Sequence, residues 1–226
     1  MYVGTRKKEM GLQKRVIRTS PGHSDMGLLQ ELFPGLDGIR DVHLPTWGNL
    51  SEPWAILGER GLISQIQDFT GKLDGVFIHP SAKIGDFVVV EGPCYVGPDV
   101  EVRHGAFLRK GSWICDGCIV GHSTEVKNSL LLPGSKAPHF NYVGDSILGI
   151  GVNLGAGTKL SNVRNDRGSI PITNEKGERN DSGLKKLGAI IGDGSQLGCN
   201  VVTNPGAIIS PGTMVSPNET VSGWIS

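Results

Sequence analysis

"IHPSAKIGDFVVVEGPCYVGPDVEVRHGAFLRKGSWICDGCIVGHSTEVKNSLLL", residues 78–132, is the stretch on which the fold turns. Stepping by six from Ile78 gives Ile84, Val90, Val96, Val102, Leu108, Ile114, Val120, Val126 and Leu132, an unbroken aliphatic series. Four residues after each lies a second set, from Ala82 and Val88 to Lys136, and nine of those ten are small or apolar. An α-helix repeats its apolar face at about 3.6 residues and a half-buried strand at about 2, so neither gives six. A parallel β-helix of hexapeptides does, because each hexad is one short strand plus a turn with its aliphatic residue inward. Ten such residues contribute roughly 15–30 kcal/mol of gross burial, before chain entropy is subtracted.

Composition agrees. Glycine is 34 of 226 residues and aromatics only 6%. That suits short strands joined by tight turns. The every-third glycine of collagen is absent. Basic and acidic residues balance at 22 each, which argues against a nucleic acid or an anionic membrane as partner. No apolar run approaches the roughly 20 residues of a membrane span. The basic cluster Arg6, Lys7, Lys8, Lys14, Arg15 and Arg18 precedes no apolar segment, so a solvated tail or a helix start is expected rather than a secretory signal. Cys115 and Cys118 form a CxxC, but Cys94 and Cys199 stand alone. All four therefore read as reduced packing residues, with no metal site and a cytoplasmic setting.

Past Leu132 the period slips and resumes at Leu148, Leu154 and Leu160. It breaks over 161–186 and returns at Ile191, Leu197, Ile209, Val215 and Val221. Thr203-Asn204-Pro205 interrupts this last run, where one hexad reads as missing between Cys199 and Ile209. The charged insertion 161–186 carries a turn signal, Asn174-Glu175-Lys176-Gly177, between two possible strand arms. Residues 1–75 lack the hexad; "DMGLLQELFPGL" and "PWAILGERGLISQIQDF" space apolar residues by three and four, a helical or mixed pattern. The expected division is an N-terminal segment and linker over 1–75 and a solenoid over 76–226.

The hexads resemble those of the left-handed β-helix acyltransferases, in which three hexads make one triangular coil. The fold class expected is thus mainly β, a left-handed parallel β-helix with a small mixed N-terminal segment. Residues 18 apart then stack at about 4.8 Å. Arg109 and Lys127 are such a pair, and two stacked cations invite a bridging anion, a phosphate above all; two solvated charges are the plainer alternative. His104 and His122 are another. His139 follows Pro138 in the first break. It suits a base near neutral pH or a loop histidine bonded to backbone.

"FLRKGS", "TEVKNS", "GSKAPHFNYVGDSILGIGVNLGAGT", Ser161-Asn162 and "KKLGAIIGDG" resemble the acetyltransferase half of the bacterial bifunctional N-acetylglucosamine-1-phosphate uridylyltransferase/glucosamine-1-phosphate acetyltransferase. The likeness covers roughly residues 76–223 and is densest over 103–162. It implies that His139 deprotonates a sugar amine for attack on acetyl-CoA. It implies that Arg109 and Lys127 bind the sugar phosphate, that Tyr142, Asn153 and Lys186 contact sugar or intermediate, and that Asn162 lies on the acceptor side. Ala156 and Cys199 match positions along the acetyl-CoA chain, Cys199 where the family has serine. A homotrimer with sites between subunits is implied, the long loop reaching a neighbour. A backbone N–H of the Gly155-Ala156-Gly157 turn is a candidate oxyanion donor. Residues 1–75 resemble the last helices and linker of sugar nucleotidyltransferases, notably at "EPWAIL".

The function expected is an acetyl-CoA-dependent N-acetyltransferase acting on an amino-sugar 1-phosphate. A non-catalytic trimeric solenoid that binds or regulates sugar-nucleotide enzymes is the second reading. A zinc site at His104 and His122, as in some β-helix carbonic anhydrases, is the third, although those enzymes space their histidines differently.

Overall fold

A computed structural model describes residues 27–39, 43–48 and 52–226; the basic cluster at residues 6–18 lies outside them. The chain winds into a parallel β-helix whose strands line three faces, in parallel sheets of eight, seven and seven strands. The first coil shows the plan: β1 (Val76–Ile78), β2 (Lys83–Ile84) and β3 (Val89–Val90) each open one face. The inward residues Val96, Val102, Leu108, Ile114, Val120 and Val126 are at most 1% exposed, as the hexad requires.

The ladder corrects the register after Val126. Val96 pairs with Ile114, Val102 with Val120 and Leu108 with Val126, all 18 apart. Below them Ile114 pairs with Leu131, Val120 with Ala137 and Val126 with Val143, all 17 apart, and Leu131 pairs with Leu148 at the same interval. Two successive coils thus drop one residue at the corner from the third face to the first. Asn128 and Asp145 turn these corners at φ 43° and 46°. Leu131, not Leu132, continues the inward column. Residues 133–147, expected as a break, belong to a complete coil with Ala137 and Val143 buried inside.

The hexad expected to be missing near residue 203 is present. Strand Val202–Thr203 places Thr203 between Leu160 and Val221, so a threonine occupies an aliphatic position. Thr203 is buried and its Oγ1 has no hydrogen-bond partner. Thr203→Val keeps the shape and removes an unsatisfied hydroxyl, so it should raise stability by about 1 kcal/mol or more. Urea unfolding checks this: the midpoint should rise at unchanged m-value.

The insertion leaves the solenoid after Leu160 and rejoins it at strand Ala189–Ile191. It carries the expected hairpin, Pro171–Thr173 paired antiparallel with Arg179–Asp181. Gly177 N–H donates to Asn174 O at 2.9 Å to close the turn. Ile170 and Ile172 are buried. They pack where Gly206, at φ +79°, leaves no room: a Cβ there would sit 2.5 Å from Pro171 O.

Short helices α1 (Leu28–Leu32) and α2 (Leu62–Thr70), with 3-10 turns at Pro34–Gly38 and Pro53–Leu57, lie against the β-helix. Leu62 and Ile66 of α2 join a core that includes Tyr95 and Trp113, stacked at 4.6 Å. Trp113 Nε1 donates to His43 O (3.0 Å) and Asn128 Nδ2 to Leu57 O (3.0 Å). The Asp193 carboxylate accepts from Gly35 N (2.9 Å) and Ile150 N (2.7 Å), tying segment to coil; burial pushes its pKa up. Asp193→Ala strands both amides and should cost about 1–3 kcal/mol. Hydrogen exchange should quicken over residues 28–39 before it changes in the coils.

Cys94, Cys115 and Cys118 are buried, and burial pushes the thiols of Cys94 and Cys118 up to about 12 and that of Cys115 well above its usual value. Cys199 departs from the packing role expected of it, since it is exposed.

Candidate active site

Apart from Asn153, the site residues singled out in the sequence gather at the two ends of the third face. At one end lie Arg109, just after strand Phe107–Leu108, and Lys127, closing strand Glu125–Lys127. Arg109 N–H donates to Val126 O, so the two positions stack as their spacing predicts. Each cation already holds a carboxylate. Arg109 Nη1 lies 2.8 Å from Glu125 Oε1, with Glu91 at 3.9 Å. Lys127 Nζ lies 3.0 Å from Asp145 Oδ2. The repulsion that would call for an outside anion is therefore answered within the chain. The Lys127–Asp145 pair is also well shielded, its side chains 13% and 5% exposed.

Asp145 is the residue the sequence reading missed, and it is the hub. Besides Lys127 it accepts from Asn128 Nδ2 at 2.9 Å and from Asn162 Nδ2. Asn162 in turn accepts from the Tyr142 hydroxyl at 3.4 Å. Burial, with Glu125 and Asp145 nearby, pushes the Tyr142 phenol up and keeps it a donor. Gly144 makes this possible: a Cβ there would be 2.6 Å from Tyr142 Oη. Lys186 is exposed at the same corner, next to Leu187, whose N–H donates to Asn162 O at 3.0 Å. Asp145 lies one residue past Gly144, the ladder partner of Lys127, and its N–H donates to Lys127 O at 2.8 Å as the chain turns the corner.

The other end is the corner between second and third faces. His139 closes strand Lys136–His139. Gly157 N–H donates to His139 O (3.1 Å) and Asn200 N–H to Ala156 O (2.8 Å). His139, the Gly155–Gly157 turn and Cys199 thus form one column down successive coils. The His139 ring is exposed. Its backbone is held by Asn141, which accepts from His139 N at 3.0 Å and donates to Gly155 O at 2.7 Å. In the turn, Gly155 N–H is bonded to Leu197 O and Gly157 N–H to His139 O. Ala156 N–H has no acceptor among the described residues, so it is the one N–H of this turn left free to donate. Asn153 stands apart, half-buried on the second face between Lys136 and Gln196.

His122 pairs with His139 in the ladder, and His104 and His122 stack at 5.6 Å as their spacing predicts. Among the described residues no group of three histidine, cysteine or acidic side chains is placed to hold a metal ion. No described helix is long and apolar enough to cross a membrane.

Comparison with known proteins returns the relatives that the motifs resemble. The chain is 34% identical over 182 residues to the bifunctional sugar-1-phosphate nucleotidylyltransferase/acetyltransferase of Sulfurisphaera tokodaii, covering 72% of this chain and 43% of that protein. It is 33% identical over 174 residues to the bifunctional protein GlmU of Methanococcus maripaludis, covering 72% and 41%. The chain thus spans about two-fifths of the length of these relatives. Among solved structures, a hexapeptide transferase family protein from Anaplasma phagocytophilum matches at 16% identity and TM-score 0.40, over 63% of this chain and 74% of that one. Residues 90–222 match the GMPPB C-terminal domain, and the chain belongs to that family.

Proposed function

We propose that the chain is an acetyl-CoA-dependent N-acetyltransferase whose acceptor is an amino-sugar 1-phosphate. What carries the reading is the column of His139, Ala156 and Cys199: a solvent-facing imidazole beside an amide with no acceptor. Relatives named as nucleotidylyltransferase/acetyltransferases add to it. The acceptor's nitrogen lone pair attacks the thioester carbonyl carbon while His139 takes the amine proton. Ala156 N–H donates to the oxyanion that develops. Collapse breaks the C–S bond, and the imidazolium returns its proton to the leaving thiolate. No covalent enzyme intermediate is needed. Arg109, Lys127, Tyr142 and Asn162 would hold the sugar phosphate and fix the amine, an entropic contribution. His139 and Asp145 are six residues apart along one coil, a span of at most about 20 Å. A homotrimer would bring one subunit's cationic end to another's histidine column.

The pairing of both cations with carboxylates favours a second reading, a non-catalytic solenoid that binds or regulates a sugar-nucleotide enzyme. Thiol release from acetyl-CoA separates the two. Release that requires glucosamine 1-phosphate supports the enzyme. A folded protein that releases no thiol with that or any other amino-sugar phosphate refutes it.

A further inference from the structure

The two ends of the β-helix differ. In the last coils the inward residues Val215 and Val221 are each 5% exposed. In the first coil the equivalent Ile78 and Ile84 are 38% and 39% exposed, and Val76, Phe87 and Val89 beside them are exposed as well. β1, β2 and β3 are the terminal strands of their three sheets, each with one edge unpaired among the described residues, as the last strand of each sheet is at the other end; the exposed apolar interior is what sets this end apart. The N-terminal end is therefore an apolar triangle ringed by three strand edges, a combination that calls for pairing.

We propose that this end docks against the same end of a second copy of the chain, head to head across a two-fold axis. The occupant must supply apolar side chains at the centre and backbone donors and acceptors along three edges at once. A helix laid across the end would meet the first need and leave the edge amides to water. A second first coil meets both in the same triangular outline, and the two-fold rotation sets the facing strands antiparallel, which edge strands accept. The rim permits it: Lys72 and Lys83 stand against Asp74, Asp86 and Glu91, two cations and three anions, so like charge does not force copies apart. Head-to-tail stacking would need an open apolar interior at the other end, where Val215 and Val221 are only 5% exposed. The contact is therefore isologous and stops at two.

The test is sedimentation velocity of the full chain over about 1–100 µM, beside Ile84→Lys, which sets two lysines against the apolar centre. The wild-type particle should have twice the mass of the variant's, two chains against one or six against three, with the variant's far-UV circular dichroism and Tm retained. Hydrogen exchange on the wild type gives a second readout that needs no variant: protection of amides 76–90 should rise with concentration. Equal masses for wild type and variant, or protection independent of concentration, overturn the proposal. So does a doubled mass that appears only when residues 1–26 are deleted, which would assign the end to that segment. Acetyl transfer plays no part in these readouts, so the proposal stands or falls apart from the enzymatic reading.

Discussion

His139→Ala should lower acceptor-dependent thiol release from acetyl-CoA by about 10²–10⁴-fold, the range of a lost general base. The fold should not change. The imidazole is exposed, and the corner is held by backbone: His139 N–H to Asn141, Asn141 to Gly155 O, and Gly157 N–H to His139 O. Truncating the ring removes none of these bonds. Tm within about 2 °C of wild type, a stability change under about 0.5 kcal/mol, would separate lost chemistry from lost structure. Full turnover by the variant would dismiss His139 as the base, whatever the acceptor. The loss should fall on kcat, because a base acts in the transition state; a rise in KM alone would make His139 a binding residue.

Asp145→Ala should cost the most stability of any single change at the site, about 3–5 kcal/mol. The carboxylate holds Lys127, Asn128 and Asn162 at once in a shielded position. Deleting it leaves the Lys127 ammonium with no counter-charge, the Asn162 amide with no acceptor and the Asn128 amide with Leu57 O alone. The double variant Lys127→Met with Asp145→Ala should recover a large part of the loss, since the unpaired charge goes too. Urea unfolding of the four proteins measures the coupling. A loss below about 1 kcal/mol would mean that the pair behaves as an exposed surface bridge. Sugar-phosphate binding should fall in Asp145→Ala even under conditions where the variant is folded, because Lys127 and Asn162 lose their common anchor.

The solenoid was legible because its inward positions tolerate so little else: a coil interior demands an aliphatic residue at each hexad, and Ile78 to Val126 comply without exception. Legibility failed where the physics allows substitution. Leu130, Leu131 and Leu132 are all buried, so three leucines in succession hid the loss of one residue at the corner. Thr203 fills its place by shape alone, and no periodic count of aliphatics can find it. The site was legible in parts. Stacking arithmetic placed Arg109 over Lys127 and His104 beside His122. It stopped short of Asp145, because a search for uncompensated cations does not look for the anion that compensates them. The column of His139, Ala156 and Cys199 came from a family resemblance; no spacing rule links 139, 156 and 199 across an insertion of unknown path.

That insertion has a further consequence. Lys159 pairs with Val202 and Ile147 with Ile190 as regularly as neighbouring coils do elsewhere, so the solenoid closes as though the intervening residues were absent. The hairpin tip at Glu175–Gly177 is exposed and far in sequence from both corner joins. Lengthening a surface loop there costs little closure entropy, about 0.6 kcal/mol per doubling. The tip, whose Glu175 lies near Glu31 of α1, is a port for grafting a reporter or a foreign module outside the coils.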